Sequence, residues 1–485
     1  VKIVQRNDVV IVGAGVSGLL AALTLAKHGK KVLVLEKQSQ VGGNCNSYDV
    51  DGFQVDTGAH AITHLEVGPL KRLMENYFDY LPVFEDYGSY YVRSEYKLLK
   101  MPSNLKEFAV FEALPKKDRL LIAQALTKQM TLSTFGVDLT KKSVYEALPR
   151  NLSPDTLDFV DAISHFLSGK SLMETSVHRI LTGSSFVRDS VTQEQFESIV
   201  SKSEHPRVDS ILQSISLSNY HASLQRGINS VSNQFSSISS LGRLATNKAN
   251  MSQGYPRKGL KALLNAILFS LPGSVEIKTD CEVTAIGVRE GKVVGVEADD
   301  FYPADIVIHT GFARDLPSLV EGLPSSYMAD LDGIVHTTSL TVWLGLDRKM
   351  NEFNYTGSEV CFKGNAYWAM PISNYDPSLA PEGKQLVGFT FAAGADGKVH
   401  VGKAYEAIYR AVPNAEDHVE MRHEQVTIPE KAAVTINGKF ADIRTPIRNL
   451  YVAGTDTDRR SMGITRAAYS IIELLRTLNE DSNLH

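Results

Sequence analysis

The run Asp8-Val9-Val10-Ile11-Val12 leads without a break into Gly13-Ala14-Gly15-Val16-Ser17-Gly18, and this junction limits the fold more than any other feature of the chain. The β-branched residues Val9 to Val12 read as a buried strand. Leu19 to His28 is rich in Ala and Leu, lacks Pro, and reads as a helix that Gly29 stops. Lys31 to Leu35 reads as a second strand with Glu36 at its end. In such a unit Gly13 permits the tight turn, Gly15 lets the backbone approach a pyrophosphate, and Gly18 lets helix and strand pack closely. The helix N-terminus then aims free N–H groups and a partial positive charge at that pyrophosphate. Glu36 lies 23 residues after Gly13, where it can accept from ribose hydroxyls and would repel a 2′-phosphate. The fingerprint alone is weak evidence. With strand, helix, second strand and acid all in register, it points to a dinucleotide-binding α/β protein rather than to a plain packing turn.

Composition narrows the remaining choices. The chain has 485 residues with 43% hydrophobic and 22% charged, an ordinary globular balance that argues against wholesale disorder. At ~150 residues per domain the length fits roughly two or three domains. A net charge of -5 gives no basic excess for nucleic acid. Cys45, Cys281 and Cys361 lie far apart, give no metal-ligand spacing and fit a reducing, cytoplasmic location. No apolar run approaches the ~18 residues of a spanning helix, and Val9 to Val12 is too short for the apolar stretch of a signal peptide. Peripheral membrane contact stays open.

Further along, residues 71–250 show frequent helical periodicity and few strand signals, and Ser230 to Ser240 reads as a loop or linker. From Lys258 the pattern returns to α/β. Leu260, Leu263, Leu264, Ile267, Leu268 and Leu271 recur at helical spacing, followed by strand-like runs at Ser274 to Ile277, Val283 to Val288, Lys292 to Glu297 and Asp305 to Thr310. More strands are expected at Ser339 to Leu346 and Leu386 to Ala392, a helix near Tyr405 to Ala411, a buried strand at Leu450 to Ala453, and a last helix at Gly463 to Leu475.

Several motifs are shared with one family. Glu36 is followed by Gly42-Gly43, and then by Gly52-Phe53-Gln54-Val55-Asp56-Thr57-Gly58-Ala59-His60. Tyr255-Pro256-Arg257-Lys258-Gly259, Asp280-Cys281-Glu282-Val283 and Asn449-Leu450-Tyr451-Val452-Ala453-Gly454 complete the set. With the N-terminal fingerprint, the chain resembles the flavin-dependent amine oxidase and phytoene desaturase superfamily at both ends and over 251–310. The resemblance implies a Rossmann-type FAD-binding domain with an inserted α+β substrate domain, made of a mixed sheet plus a helical cap. The FAD domain would be assembled from residues 1–70, 251–320 and 431–485. The cap would occupy 71–250 and the substrate sheet 321–430.

By the same resemblance, FAD would lie against Gly13, Gly15, Val16, Ser17, Gly18, Glu36 and Lys37 at its adenosine end, with Val283 at the adenine. Gly42, Gly43 and Asn44 would face the pyrophosphate. Gly58, Ala59, His60, Gly454, Thr455, Asp456, Met462, Gly463 and Ile464 would face the ribityl chain and the flavin. Three departures surround the flavin. Asn44 stands where the family usually has Arg or Lys, Thr455 where it often has an acid, and Lys258 where it has Gly. Arg257, Lys258 and Asp456 are candidates for handling a proton.

The implied activity is FAD-dependent desaturation or saturation of carbon–carbon bonds in an isoprenoid, carotenoid-like or other apolar substrate, with hydride moving to or from flavin N5. Three alternatives remain: an amine oxidase that releases hydrogen peroxide, a non-redox isomerase or hydratase of a polyprenyl group, and a flavin-containing structural or chaperone-like protein without turnover. No second fingerprint supports a separate nicotinamide domain. His60 and His64 lack an acidic partner at ligand spacing, so no metal site is expected. Cys45 reads as an inert small residue. Trp343, Tyr367 and Trp368 are core residues or the wall of a substrate tunnel. The segment Leu105 to Met130 mixes apolar and basic residues, and reads as a surface for anionic membranes or a lid over the substrate channel.

Overall fold

The computed structural model describes residues 6–58, 60–94, 97–102, 105–183, 191–201, 253–394 and 397–485. Strands Asn7–Val12 and Val32–Leu35 flank helix Val16–Lys27 and pair in parallel, Val9 opposite Val32 and Val12 opposite Leu35. The parallel order continues on one side to Val275–Lys278 and on the other to Phe301–His309 and Leu450–Val452. The antiparallel strands Ala285–Arg289 and Lys292–Glu297 extend from the start of Phe301–His309.

Alternation along the central strands explains the layering. Val9, Ile11, Val32 and Val34 pack under helices Val16–Lys27, Leu260–Ser270 and Gly463–Glu480. Val10, Leu33, Leu35, Val307 and Val452 pack on the opposite side against Ala313, Leu316, Leu331 and Ile334. With both faces covered, near-continuous Val, Ile and Leu is what a parallel strand needs.

A second sheet runs Val419–Thr427, Ser339–Leu346, Gln385–Ala392, Tyr367–Met370, Gly357–Cys361, Ser89–Ser94 and Lys97–Lys100. Its last two strands, with Phe84–Asp86, lie where strand signals are sparse. Ser89-Tyr90-Tyr91-Val92-Arg93-Ser94 has no β-branched run, and its strand state comes from distant pairing with Gly357–Cys361. The rest of the described part of 71–250 is helical. Helices Leu105–Ala109, Lys116–Thr134 and Pro154–Ser168 stack beside this sheet, with Phe111, Leu114 and Ile122 packed on Phe159, Val92, Val360 and Phe362. The apolar face of 105–130 is therefore largely used inside the cap, although Leu120 stays exposed. Trp343 is fully buried in the sheet core. Ser230 to Ser240 lies outside the described residues.

One buried ion pair ties the distant segments of the second sheet. Arg93 Nε donates to Glu359 Oε1 at 2.6 Å, and Arg93 also donates to Glu352 O at 2.8 Å. Tyr355 and Tyr367 hydroxyls donate to the same carboxylate at 2.9 and 3.3 Å. Removing one partner leaves an uncompensated buried charge. Arg93→Met is therefore expected to destabilise the protein by about 3–5 kcal/mol in denaturant unfolding, far more than removal of an exposed pair such as Lys439–Asp330.

Candidate cofactor and substrate site

The glycine turn has the required shape. A Cβ on Gly18 would lie 2.0 Å from Gly13 O, so helix Val16–Lys27 meets the strand end only with a bare Cα there. Nothing lies within 4 Å of the place a Gly15 Cβ would take. That opening sits at the helix N-terminus, where unpaired N–H groups favour an anion. Val16 and the buried Ser17 form the first turn behind it. Gly42 N donates to Ala14 O at 2.8 Å, and a Cβ on Gly43 would come 3.3 Å from Gly15 Cα, so the second glycine pair abuts the first turn.

Glu36 stands at the end of strand Val32–Leu35, beside the first glycine turn. Its carboxylate accepts from Ala14 N at 2.7 Å and Gln38 N at 2.9 Å. Cys281 N donates to Glu36 O at 2.9 Å, which brings buried Val283 alongside. Residues 281–284 are a loop before strand Ala285–Arg289, rather than part of the strand-like run expected from Val283. Lys37 is exposed.

At the other end, strand Leu450–Val452 delivers Gly454, whose N–H donates to Ser470 Oγ at 2.8 Å. Thr455 Oγ1 accepts from Lys431 N at 3.0 Å. Asp456 is fully buried. Its Oδ2 accepts from Ala313 N at 2.7 Å, and its Oδ1 has no partner. Met462 precedes helix Gly463–Glu480, and Gly463 N donates to Glu430 Oε1 at 2.5 Å. Glu430 also lies 3.0 Å from Arg466. Burial pushes the Glu430 carboxyl up, while Arg466, the Gly463 N–H and Arg179 pull it down.

Between the second sheet, helix Pro154–Ser168 and the start of helix Gly463–Glu480 lies a cavity of about 320 Å³. Asn44, Gly58, His60, Met462, Gly463 and Ile464 line its cofactor side. The far side carries Ala162, His165, Phe166, Val360, Tyr367 and Trp368. Phe166 and Trp368 meet edge to face at 4.1 Å. Trp368 thus belongs to the cavity wall, whereas Trp343 belongs to the core. Asn44 Nδ2 donates to Ile428 O at 2.8 Å, and Gly58 N donates to Gln425 Oε1 at 2.9 Å. Burial pulls His60 below its ordinary value, against the hydrogen bond to Gly58 O. Ala59 lies outside the described residues. Burial pushes the Cys45 thiol up to about 12, so it is an inert side chain.

Arg257 and Lys258 are not brought to this cavity. Arg257 is exposed and pairs with Glu85, while Lys258 is exposed and donates its N–H to Asp376 at 3.0 Å. Their motif instead supports the site from behind. Tyr255 OH and Ser47 Oγ each donate to Asp56 at 2.6 Å, and Leu260 N donates to it at 3.1 Å. Asp56 thereby holds helix Leu260–Ser270 beneath the glycine turns. Glu430, Lys431, Asp161 and His165 were missed in the sequence because they lie in connections and cap positions without a motif. Asp161 and His165 pair at 3.3 Å across one helical turn, a spacing that could have been noticed.

Two predictions follow from this geometry. Gly18→Ala is expected to lower the melting temperature of the apoprotein, whereas Gly15→Ala leaves it nearly unchanged but weakens FAD binding measured by fluorescence titration. Burial pushes Asp56 up to about 6, outweighing the hydrogen bonds from Ser47, Tyr255 and Leu260. The folded state then binds this proton more tightly than the unfolded chain, whose Asp titrates near about 3.9. The associated stability is fully present below about pH 4 and is lost as pH rises through about 6. Asp56→Asn is expected to remove about 3 kcal/mol of pH dependence across that window, read as the difference between unfolding curves.

Comparison with known proteins agrees with this geometry. A 100-residue stretch is 55% identical to an uncharacterized protein in the nifH2 3′ region of Methanothermococcus thermolithotrophicus, covering 21% of this chain and 96% of that protein. Over 115 residues the chain is 33% identical to human all-trans-retinol 13,14-reductase, which is 23% of this chain and only 18% of the reductase. An oxidoreductase structure from Methanosarcina mazei superposes with a TM-score of 0.69 at 18% identity, covering 96% of this chain and 99% of that one, and so shares the fold. The residues present fit a flavin dinucleotide: two helix N-termini with open space before Gly15 and Gly463, a ribose carboxylate at Glu36, and an orphaned buried oxygen on Asp456. The model of the flavin-containing amine oxidoreductases matches residues 16–470, and the chain belongs to that family of FAD-dependent oxidoreductases.

Proposed function

We propose that the protein saturates or desaturates a carbon–carbon bond of an apolar, isoprenoid-like polyene. The cavity wall carries this reading. Opposite the cofactor side stand Ala162, Phe166, Val360 and Trp368, an aliphatic and aromatic surface suited to a flat hydrocarbon. The described acids in the lining are already engaged: Asp161 accepts from Leu172 N at 2.7 Å and lies 3.3 Å from His165, and Glu430 accepts from Gly463 N and pairs with Arg466. Neither is left free to draw in an ammonium group, which weighs against an amine substrate. The partial match to retinol 13,14-reductases supports a polyene from an independent direction.

FAD, when bound, supplies hydride chemistry at its reactive nitrogen. The chain supplies position and dryness. Phe166 of the cap and Trp368 of the sheet, packed edge to face, form one continuous aromatic wall for a planar substrate. Thr338, Thr341 and Thr390 offer hydroxyls to a polar end group. Helix Pro154–Ser168 forms one wall of the cavity and in this reading limits water at the reacting carbons.

The test is anaerobic. Photoreduced enzyme is mixed with all-trans-retinol and with a polyprenyl lipid panel. Return of the oxidised flavin spectrum, with a lipid heavier by two hydrogens, is the expected result. Peroxide release with amines would replace this reading by amine oxidation. A lipid isomerised or hydrated with no net flavin oxidation would replace it by non-redox chemistry. In the positive case, Trp368→Ala is expected to raise KM about tenfold or more through loss of the aromatic wall.

A further inference from the structure

A dinucleotide brings a diphosphate with two negative charges into a turn made of glycines and backbone N–H groups. Position 44, beside that turn, is Asn, and its side-chain amide is spent on Ile428 O. Three residues beyond Ile428 lies Lys431. Its ammonium donates to Gly311 O at 2.7 Å and to Thr310 O, and stands 5.6 Å from the centre of the Phe312 ring. Thr310 is itself fastened to the glycine turn, since its hydroxyl bonds to Val12 O at 2.9 Å and Gly13 O at 3.0 Å. On the other side, a Cβ on Gly454 would come 3.2 Å from Lys431 Nζ and 2.8 Å from Asp456 Oδ1. The ammonium therefore lies between the turn after the first strand and the turn after the last parallel strand. It is next to the buried carboxylate oxygen that has no partner.

An ammonium has three N–H donors, and the two carbonyls use two of them. We propose that Lys431 Nζ binds the diphosphate of FAD and supplies the positive charge that position 44 lacks. The bare Cα of Gly454 leaves the approach open, and the adjacent Asp456 Oδ1 is placed to accept from a hydroxyl of the sugar chain. Burial pulls Lys431 below its ordinary value, and the charges of Asp456, Asp315 and Glu36 oppose that pull. A purely structural lysine would need only the two carbonyls and Asp456. A phosphate-binding lysine distinguishes ligands that carry the diphosphate from those that do not.

The test uses apoprotein freed of FAD and titrated with FAD or with riboflavin, which lacks phosphate. Lys431→Gln is expected to weaken FAD binding about 10- to 100-fold, the size of a lost charge-assisted hydrogen bond, and to change riboflavin binding less than about twofold. Lys431→Arg keeps the charge and is expected to retain most of the FAD affinity. Equal losses for both ligands, or no loss for either, would overturn the proposal. Wild-type apoprotein gives a second measurement that needs no variant. Acetylation of Lys431, followed by mass spectrometry, is expected to slow about fivefold or more with FAD or inorganic pyrophosphate, and not with riboflavin. Equal labelling under all three conditions would overturn it as well.

Discussion

The constraint on which the cofactor end of the fold depends is between a missing side chain and a carbonyl. Helix Val16–Lys27 can cross the end of strand Asn7–Val12 only because residue 18 has no Cβ to meet Gly13 O at 2.0 Å. That approach puts the helix N-terminus directly over the turn and orients its free N–H groups outward. Gly42 and Gly43 then pack against Ala14 and Gly15. Asp56 locks helix Leu260–Ser270 under the same layer. Remote pieces of chain thus converge on one strand end, and the cavity forms beyond it.

The parallel sheet was legible because its chemistry is local. Val9 to Val12, Val32 to Leu35 and Ile306 to Ile308 are apolar on both faces, and a strand covered on both sides needs nothing else. The glycine turns were legible for a related reason, since the bare Cα atoms of Gly18 and Gly43 answer steric demands from nearby backbone, and that of Gly15 keeps the helix end open. Strand Ser89–Ser94 was not legible. Its residues alternate without a strong pattern, and its place is set by Gly357–Cys361 and by the Arg93–Glu359 pair, neither visible in a local window. The split of 105–130 into two helices follows from Pro115, which favours the start of a helix and opposes its continuation. The motif around Tyr255 was visible, but its purpose was not. The exposed Arg257 and Lys258 attract attention as chemical groups, whereas the buried Tyr255 and Gly259 do the holding, through Asp56.

The cavity shows a similar split between what a motif can and cannot reveal. Its cofactor side comes from recognisable segments, through Gly58 and His60 and through Met462, Gly463 and Ile464. Its far side comes from one cap helix and the middle of the second sheet, where Phe166 and Trp368 look like ordinary core residues although together they line the cavity. An aromatic side chain reads the same in sequence whether its ring meets protein or ligand.

The ends of the two cofactor-facing helices are treated differently, and the difference has chemical consequences. The N-terminus behind Gly15 is left without a side-chain cap, open to an outside anion. The N-terminus at Gly463 already has an anion of the protein's own, because Glu430 accepts from its first N–H. A carboxylate there weakens the positive field that a helix end would otherwise present to bound flavin. Arg466 and Arg179 restore part of it from behind, both donating to Ser461 O. The field at the Gly463 end is thus a balance of one carboxylate, two guanidinium groups and a helix dipole, whereas the Gly15 end presents a helix dipole without a side-chain cap among the described residues. A fold shared by enzymes of quite different reactivity can be retuned in this way through the few charged residues of one connection, Glu430 and Lys431, without disturbing the sheet that carries it.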